Sequence, residues 1–263
     1  MCTVTFVPRG DGFYLAMNRD ERIARRSASA PAVLKHGGVE SIYPIEGEGG
    51  TWIAINHRGV AFTLLNWNDT QVLREKTRTR GIVIPALAGS DSSQAAQSAI
   101  SQFDLEGILP FRLVGFFPAE NLAAEWRWNQ GSLTFESLPW KMRQWCSSSL
   151  SDAEASLRRG LIFEQETRKS DYGSLAWLRR LHASHDQEHY PFSHCVHRGN
   201  VETLSYSEVV CTHRQIEFNY VSGCPCRSEG TVLRLSLARQ RAPASTVDCA
   251  SLEQLEAVFP FFS

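Results

Sequence analysis

The sequence has no apolar run approaching the roughly 20 residues that a membrane-spanning helix needs. It carries no excess of one charge. Lys plus Arg number 27 against 28 Asp plus Glu, giving a formal net charge of −1. This excludes a general nucleic-acid coat, whose affinity comes mostly from phosphate neutralisation. No Gly-rich phosphate fingerprint follows any predicted strand, so nucleotide binding has no support in the sequence. There is no internal repeat, low-complexity tract or long Pro/Gly/Ser linker, and one domain over 1–263 is expected. The first residues lack a basic region, a long apolar core and a small-residue cleavage site, so no signal peptide is read there and a cytoplasmic location is expected. The seven cysteines are odd in number and unevenly spaced, as in a reducing compartment that leaves them as thiols.

What is present is 43% hydrophobic residues, enough for a substantial core. Residues 2–7 are rich in Thr, Val and Phe. A turn at Arg9-Gly10-Asp11-Gly12 leads to a second strand over 13–18, predicting a hairpin. Residues 51–56 and 60–66 predict another hairpin about His57-Arg58-Gly59. The middle turns helical, over 81–88, from Ser90 or Asp91 to Phe103, from Ser151 to about Glu164, and over 171–182. Strands over 111–117, 122–129 and 132–138 interrupt it. Further strands are expected over 194–196, 203–212, 215–221 and 231–237, then a short closing helix over 252–258. Residues 27–38 and 66–80 read as surface loops. Strands at both ends around a helical middle give an α+β fold with mainly antiparallel sheet.

Cys2 is the leading candidate for chemistry. Removal of Met1 would leave a thiol and a free α-amine on one residue. Their ordinary pKa values, about 8.5 and about 7.7–8.0, let the amine take the thiol proton during attack and return it to a leaving group. Asn18-Arg19-Asp20-Glu21 closes the second predicted strand, close to Cys2. By alternation Asn18 and Asp20 face one side and Arg19 the other. A carboxylate would hold the amine, and a guanidinium would favour thiolate. In the segment Gly49-Gly50-Thr51-Trp52, glycines that permit close backbone approach suit a site wall. Asn66 could donate to an oxyanion. The candidate ligand-binding residues are Asn18, Gly50, Thr51 and Trp52.

Met1-Cys2, Asn18-Arg19-Asp20-Glu21 and Gly49-Gly50-Thr51-Trp52, with weaker echoes at Arg80-Gly81, Leu138-Pro139-Trp140-Lys141 and His194-Cys195-Val196-His197-Arg198, resemble the NRDE family, also called the transport-and-Golgi-organisation family. The resemblance spans roughly the whole chain. It implies an N-terminal-nucleophile hydrolase-like fold, a four-layer αββα sandwich with two mainly antiparallel sheets. The family is similar to the penicillin acylase and bile-salt hydrolase group, which cleaves amides with an N-terminal Cys. In that group an Arg-Asn-x-Asp segment follows the first hairpin. Asp20 then inherits the contact to the α-amine, while Met17 stands where that group has arginine and Arg19 is displaced by two residues.

The implied activity is an N-terminal-cysteine amidohydrolase of a small-molecule or peptide amide, without cofactor. The alternative is a non-catalytic haem or lipid/acyl-ligand binding and transfer protein. There His182, His185 and His189, at i, i+3 and i+7 on one predicted helical face, would matter. Their spacing matches no zinc pattern, so no metal site is expected. Cys224-Pro225-Cys226 at a predicted hairpin tip could hold a metal or a strained disulfide, though a turn without a role is the simpler reading. A small-molecule ligand or substrate is the expected partner.

Overall fold

The computed structural model describes residues 2–25, 28–186, 188–227 and 232–240. The first hairpin pairs β1 (Cys2–Arg9) with β2 (Gly12–Arg22). Sheet B then begins. It runs through β3 (Ser29–His36), β4 (Val39–Ile45), β5 (Ile53–Asn56) and β6 (Ala61–Asn66), and continues with β7 (Phe111–Phe117), β8 (Leu122–Trp128) and β9 (Leu133–Pro139). Each strand pairs antiparallel with the next.

Between β6 and β7 lie a 3-10 turn (Arg80–Ile82) and the helices α1 (Val83–Leu87) and α2 (Ser93–Gln102). After sheet B the chain returns to β1 as β10 (Arg143–Ser147) and forms α3 (Asp152–Glu166) and α4 (Leu175–His182). It then adds β11 (His197–Arg198), β12 (Val201–Cys211), β13 (Gln215–Ser222) and β14 (Leu233–Ala238). Sheet A has the order β10-β1-β2-β12-β13-β14, with β11 on β12.

Three apolar clusters define four layers. Val4, Phe6, Phe13, Leu15, Ile53, Phe116 and Phe218 fill the space between the sheets. Period-2 alternation sends these residues to one face of each strand, and each fully buried large side chain contributes about 1.5–3 kcal/mol. Val83, Ile84, Leu87, Ala96 and Ile100 cover the outer face of sheet B. Trp177, Leu178 and Leu181 cover the outer face of sheet A. Helices thus sandwich two antiparallel sheets. No helix among the described residues is long and apolar enough to cross a membrane.

Several boundaries differ from the sequence expectation. Residues 29–36 form an edge strand where a loop was expected. Pro31 and the bulge between Ser29 and Ala32 hide its alternation, and an edge position tolerates a proline. β10 was not anticipated, because its polar residues suit the edge of sheet A. The helix expected over 171–182 starts only at Leu175, since Gly173 has φ +76° and Ser174 caps the helix by accepting from the Trp177 N–H. Ser92, not Ser90 or Asp91, caps α2. The short strand expected over 194–196 lies instead at His197–Arg198. The helix expected over 252–258 falls outside the described residues.

Candidate functional site

β1 lies between β10 and β2, so Cys2 has Ser147 on one side and Arg19 on the other. Paired residues in an antiparallel ladder point to the same face. Cys2 and Arg19 therefore both face the space between the sheets, where Cys2 joins the apolar cluster beside Trp52. This end of the space opens as a cleft lined by Cys2, Arg19, Asp20, Glu46, Thr51, Trp52, Asn66 and Arg80, among others. Its irregular flank is the segment 66–80, from which Lys76, Arg78 and Thr79 also reach the cleft.

The Arg19 guanidinium sits 4.6 Å from the centre of the Trp52 ring and donates to the Glu46 carboxylate. Glu46 also accepts from Arg25 at 3.0 Å, and Arg25 donates to Glu21 at 2.6 Å. Arg19 is thereby fixed close to the sulfur. Burial pushes the Cys2 thiol above its ordinary range, and the Arg19 charge opposes that rise.

The backbone of Cys2 is held by β10 and α3. Its N–H donates to Ser147 Oγ at 3.0 Å, and its carbonyl accepts from Arg159 Nη1 at 3.4 Å. Arg159 enters from α3 and is 1% exposed. It also donates to the carbonyls of Phe192 and Ser193 at 3.1 Å and of Ser147 at 3.4 Å, and meets Asp20 Oδ2 at 3.5 Å. The other Asp20 oxygen accepts from Thr203 Oγ1 at 2.7 Å. Burial raises the Asp20 carboxyl pKa, against the pull of Arg159 and Thr203.

Thus Cys2, Arg19, Asp20, Asn66, Thr51 and Trp52 meet at one cleft, whereas Asn18 and Gly50 do not line it. Asn18 points to the helical side of sheet A, where its amide donates to the carbonyls of His182 and His194, both at 2.8 Å. It anchors α4 and the segment after it. Gly50 serves close packing: a Cβ there would lie 2.9 Å from the Gly81 backbone, and the Thr51 N–H donates to the Gly81 carbonyl at 3.0 Å.

The three histidines do not share a helical face, because α4 ends at His182. His182 is fully buried, with Nε2 2.9 Å from Thr5 Oγ1, and burial, reinforced by Arg159, lowers its pKa to about 3. Sequence reasoning missed Arg159, Ser147 and Glu46, and gave Arg80 only as part of a family echo without a role in the site. Only Arg159 left a signal: it lies four residues after Ala155, on the inward face of α3.

The family profile described as "Transport and Golgi organisation 2" matches residues 1–196. No curated protein matches by sequence. Among solved structures, a cysteine-to-alanine mutant of conjugated bile acid hydrolase from Clostridium perfringens aligns with TM-score 0.51 at 10% identity, covering 90% of this chain and 92% of that one. Penicillin V acylase from Agrobacterium tumefaciens aligns with TM-score 0.51 at 12% identity, covering 90% and 86%. At such identities these likenesses show the fold alone. It is the N-terminal-nucleophile hydrolase-like αββα sandwich.

Proposed function

The chain belongs to the Transport and Golgi organisation 2 family, and from that premise we propose that it is an amidohydrolase whose nucleophile is Cys2 once Met1 is removed. The observation that carries this reading is the convergence of Cys2, Arg19 and Asn66 on one cleft at the end of the inter-sheet space, which Asp20 borders with its side chain on the helical side of sheet A. The solved neighbours named as a bile acid hydrolase and a penicillin acylase share the fold and so support the same class of reaction.

In the proposed reaction Cys2 Sγ attacks the amide carbonyl carbon and passes its proton to its own α-amine. The carbonyl oxygen becomes an oxyanion, towards which Asn66 donates. The C–N bond then breaks, the departing nitrogen takes the proton from the α-amine, and water hydrolyses the thioester. Ser147 Oγ, which already accepts from the Cys2 nitrogen, and the buried Asp20 hold that amine in place. Arg19 stabilises the thiolate. Thr51 and Trp52 form the wall beside the nucleophile. Five cationic side chains and three carboxylates line the cleft, so a compact amide bearing an anionic group suits it best.

Intact mass of native protein, followed by hydrolysis assays on carboxylate-bearing amides with wild type and Cys2→Ala, tests the proposal. It requires loss of Met1 and turnover that disappears with the thiol. A native protein that keeps Met1 would overturn it.

A further inference from the structure

Outside the cleft, three chain segments bring together side chains of a different chemistry. His185 lies in the connection after α4. Cys195 and His197 flank the start of β11. Cys226 lies in the connection between β13 and β14. Their ligand atoms all fall within 4.8 Å of one another. His197 Nε2 is 3.1 Å from Cys226 Sγ and 3.6 Å from Cys195 Sγ. A tetrahedral zinc ion with ordinary Zn–S and Zn–N bonds separates its sulfur and nitrogen ligands by about 3.6 Å.

We propose that His185, Cys195, His197 and Cys226 form a zinc-binding site. Two thiolates and two imidazoles make a tetrahedral S2N2 set, which selects zinc over harder cations. On binding, the two thiols each release a proton to solvent, and the ion and its two thiolates together are neutral. The other ring nitrogen of His197 supplies a second, independent observation. Nδ1 lies 3.6 Å from Glu202 Oε1. A histidine ligating through one nitrogen commonly donates from the other to a carboxylate, which fixes its tautomer and orientation.

The site has structural consequences for the cleft. Val196, between two of the ligands, donates its N–H to Thr203 Oγ1 at 2.9 Å, and that hydroxyl donates to Asp20. A bound ion would clasp the segment that carries this support.

Cobalt titration of the reduced full-length protein tests the site without a variant. One equivalent should give thiolate-to-cobalt charge-transfer bands and the intense ligand-field bands of tetrahedral cobalt, and zinc should displace it. Metal analysis of protein purified without chelator should find one zinc per chain. Cys226→Ser and His185→Ala should weaken cobalt binding tenfold or more, and Glu202→Gln should weaken it by about 10–100-fold with the bands retained. Absence of thiolate bands in the reduced wild type would overturn the site. So would cobalt binding unchanged by Cys226→Ser.

Discussion

Cys2 and Arg19 are direct partners across the β1–β2 ladder, so the sulfur and the guanidinium stand on one face of sheet A while Asp20 emerges beside them on the other. This division gives each neighbour a separate task. Arg19 acts on the sulfur from within the cleft, and Asp20 acts from behind through a buried polar cluster.

The first prediction concerns thiol reactivity. A small thiol-directed reagent should label Cys2, which lines the cleft, before the buried Cys146, Cys195 and Cys211. Arg19→Ala removes the charge that favours thiolate and should slow Cys2 labelling about tenfold at neutral pH. Mass spectrometry of timed digests measures both. Labelling of Cys2 no faster than the other thiols would refute the expectation.

Arg159 should be among the most sensitive positions for stability. Replacing it with Met leaves Asp20 buried without its cation and four carbonyls without their donor, a loss of about 3–5 kcal/mol. The double variant Arg159→Met/Asp20→Asn should recover part of that loss, since the uncompensated charge is gone. Urea unfolding of both proteins decides the point, and no recovery in the double variant would contradict the account.

Acid sensitivity follows from His182. Its folded pKa of about 3 lies below the ordinary 6.5, so the unfolded chain binds the proton more readily. Its contribution is complete above pH 6.5 and is lost as pH falls towards 3, by on the order of 5 kcal/mol over the whole range. His194, lowered in the same direction by burial, adds to the effect. His182→Gln, which keeps a polar group for Thr5, should flatten the stability curve between pH 6 and 4, whatever it does to stability at pH 7. A slope unchanged from wild type would count against the assignment.

The fourth prediction is steric. Gly50→Ala drives a methyl group into the Gly81 backbone. It should cost about 1–3 kcal/mol and slow Cys2 labelling, because Thr51 and the 3-10 turn carrying Arg80 both border the cleft. Thermal unfolding and the labelling assay report the two effects separately.

The parts of this structure that were legible in the sequence are those written in local patterns. The first hairpin, the β5–β6 hairpin and the Ser151 cap follow from alternation, turn glycines and a side-chain oxygen at the right offset. The meeting of Cys2 with Arg19 and Asp20 also follows, since one tight turn fixes the register of β1 on β2. Ser147 and Arg159 were not legible as site residues, because they reach Cys2 across 145 and 157 positions, a distance set by tertiary packing. The orientation of Asn18 was given correctly by alternation relative to Asp20, but its partners come from α4 and the segment after it, which no local pattern specifies. The histidine stripe misled because helical spacing was projected past the end of α4.

The irregular flank of the cleft is fastened at several places. Gln130, held at φ +71°, accepts from the Leu73 and Arg74 N–H groups, and Asn68 is tied to Asp152 at the start of α3. Beyond them the Thr77 and Arg78 N–H groups donate to the Gly107 carbonyl at 3.0 and 3.1 Å, and Arg78 bridges to Ile108, so residues 69–72 lie between ties without a strand pairing. A change of length or side chain in that stretch breaks no strand pairing, so it would reshape the rim of the cleft while the sulfur and its strand companions stay in place.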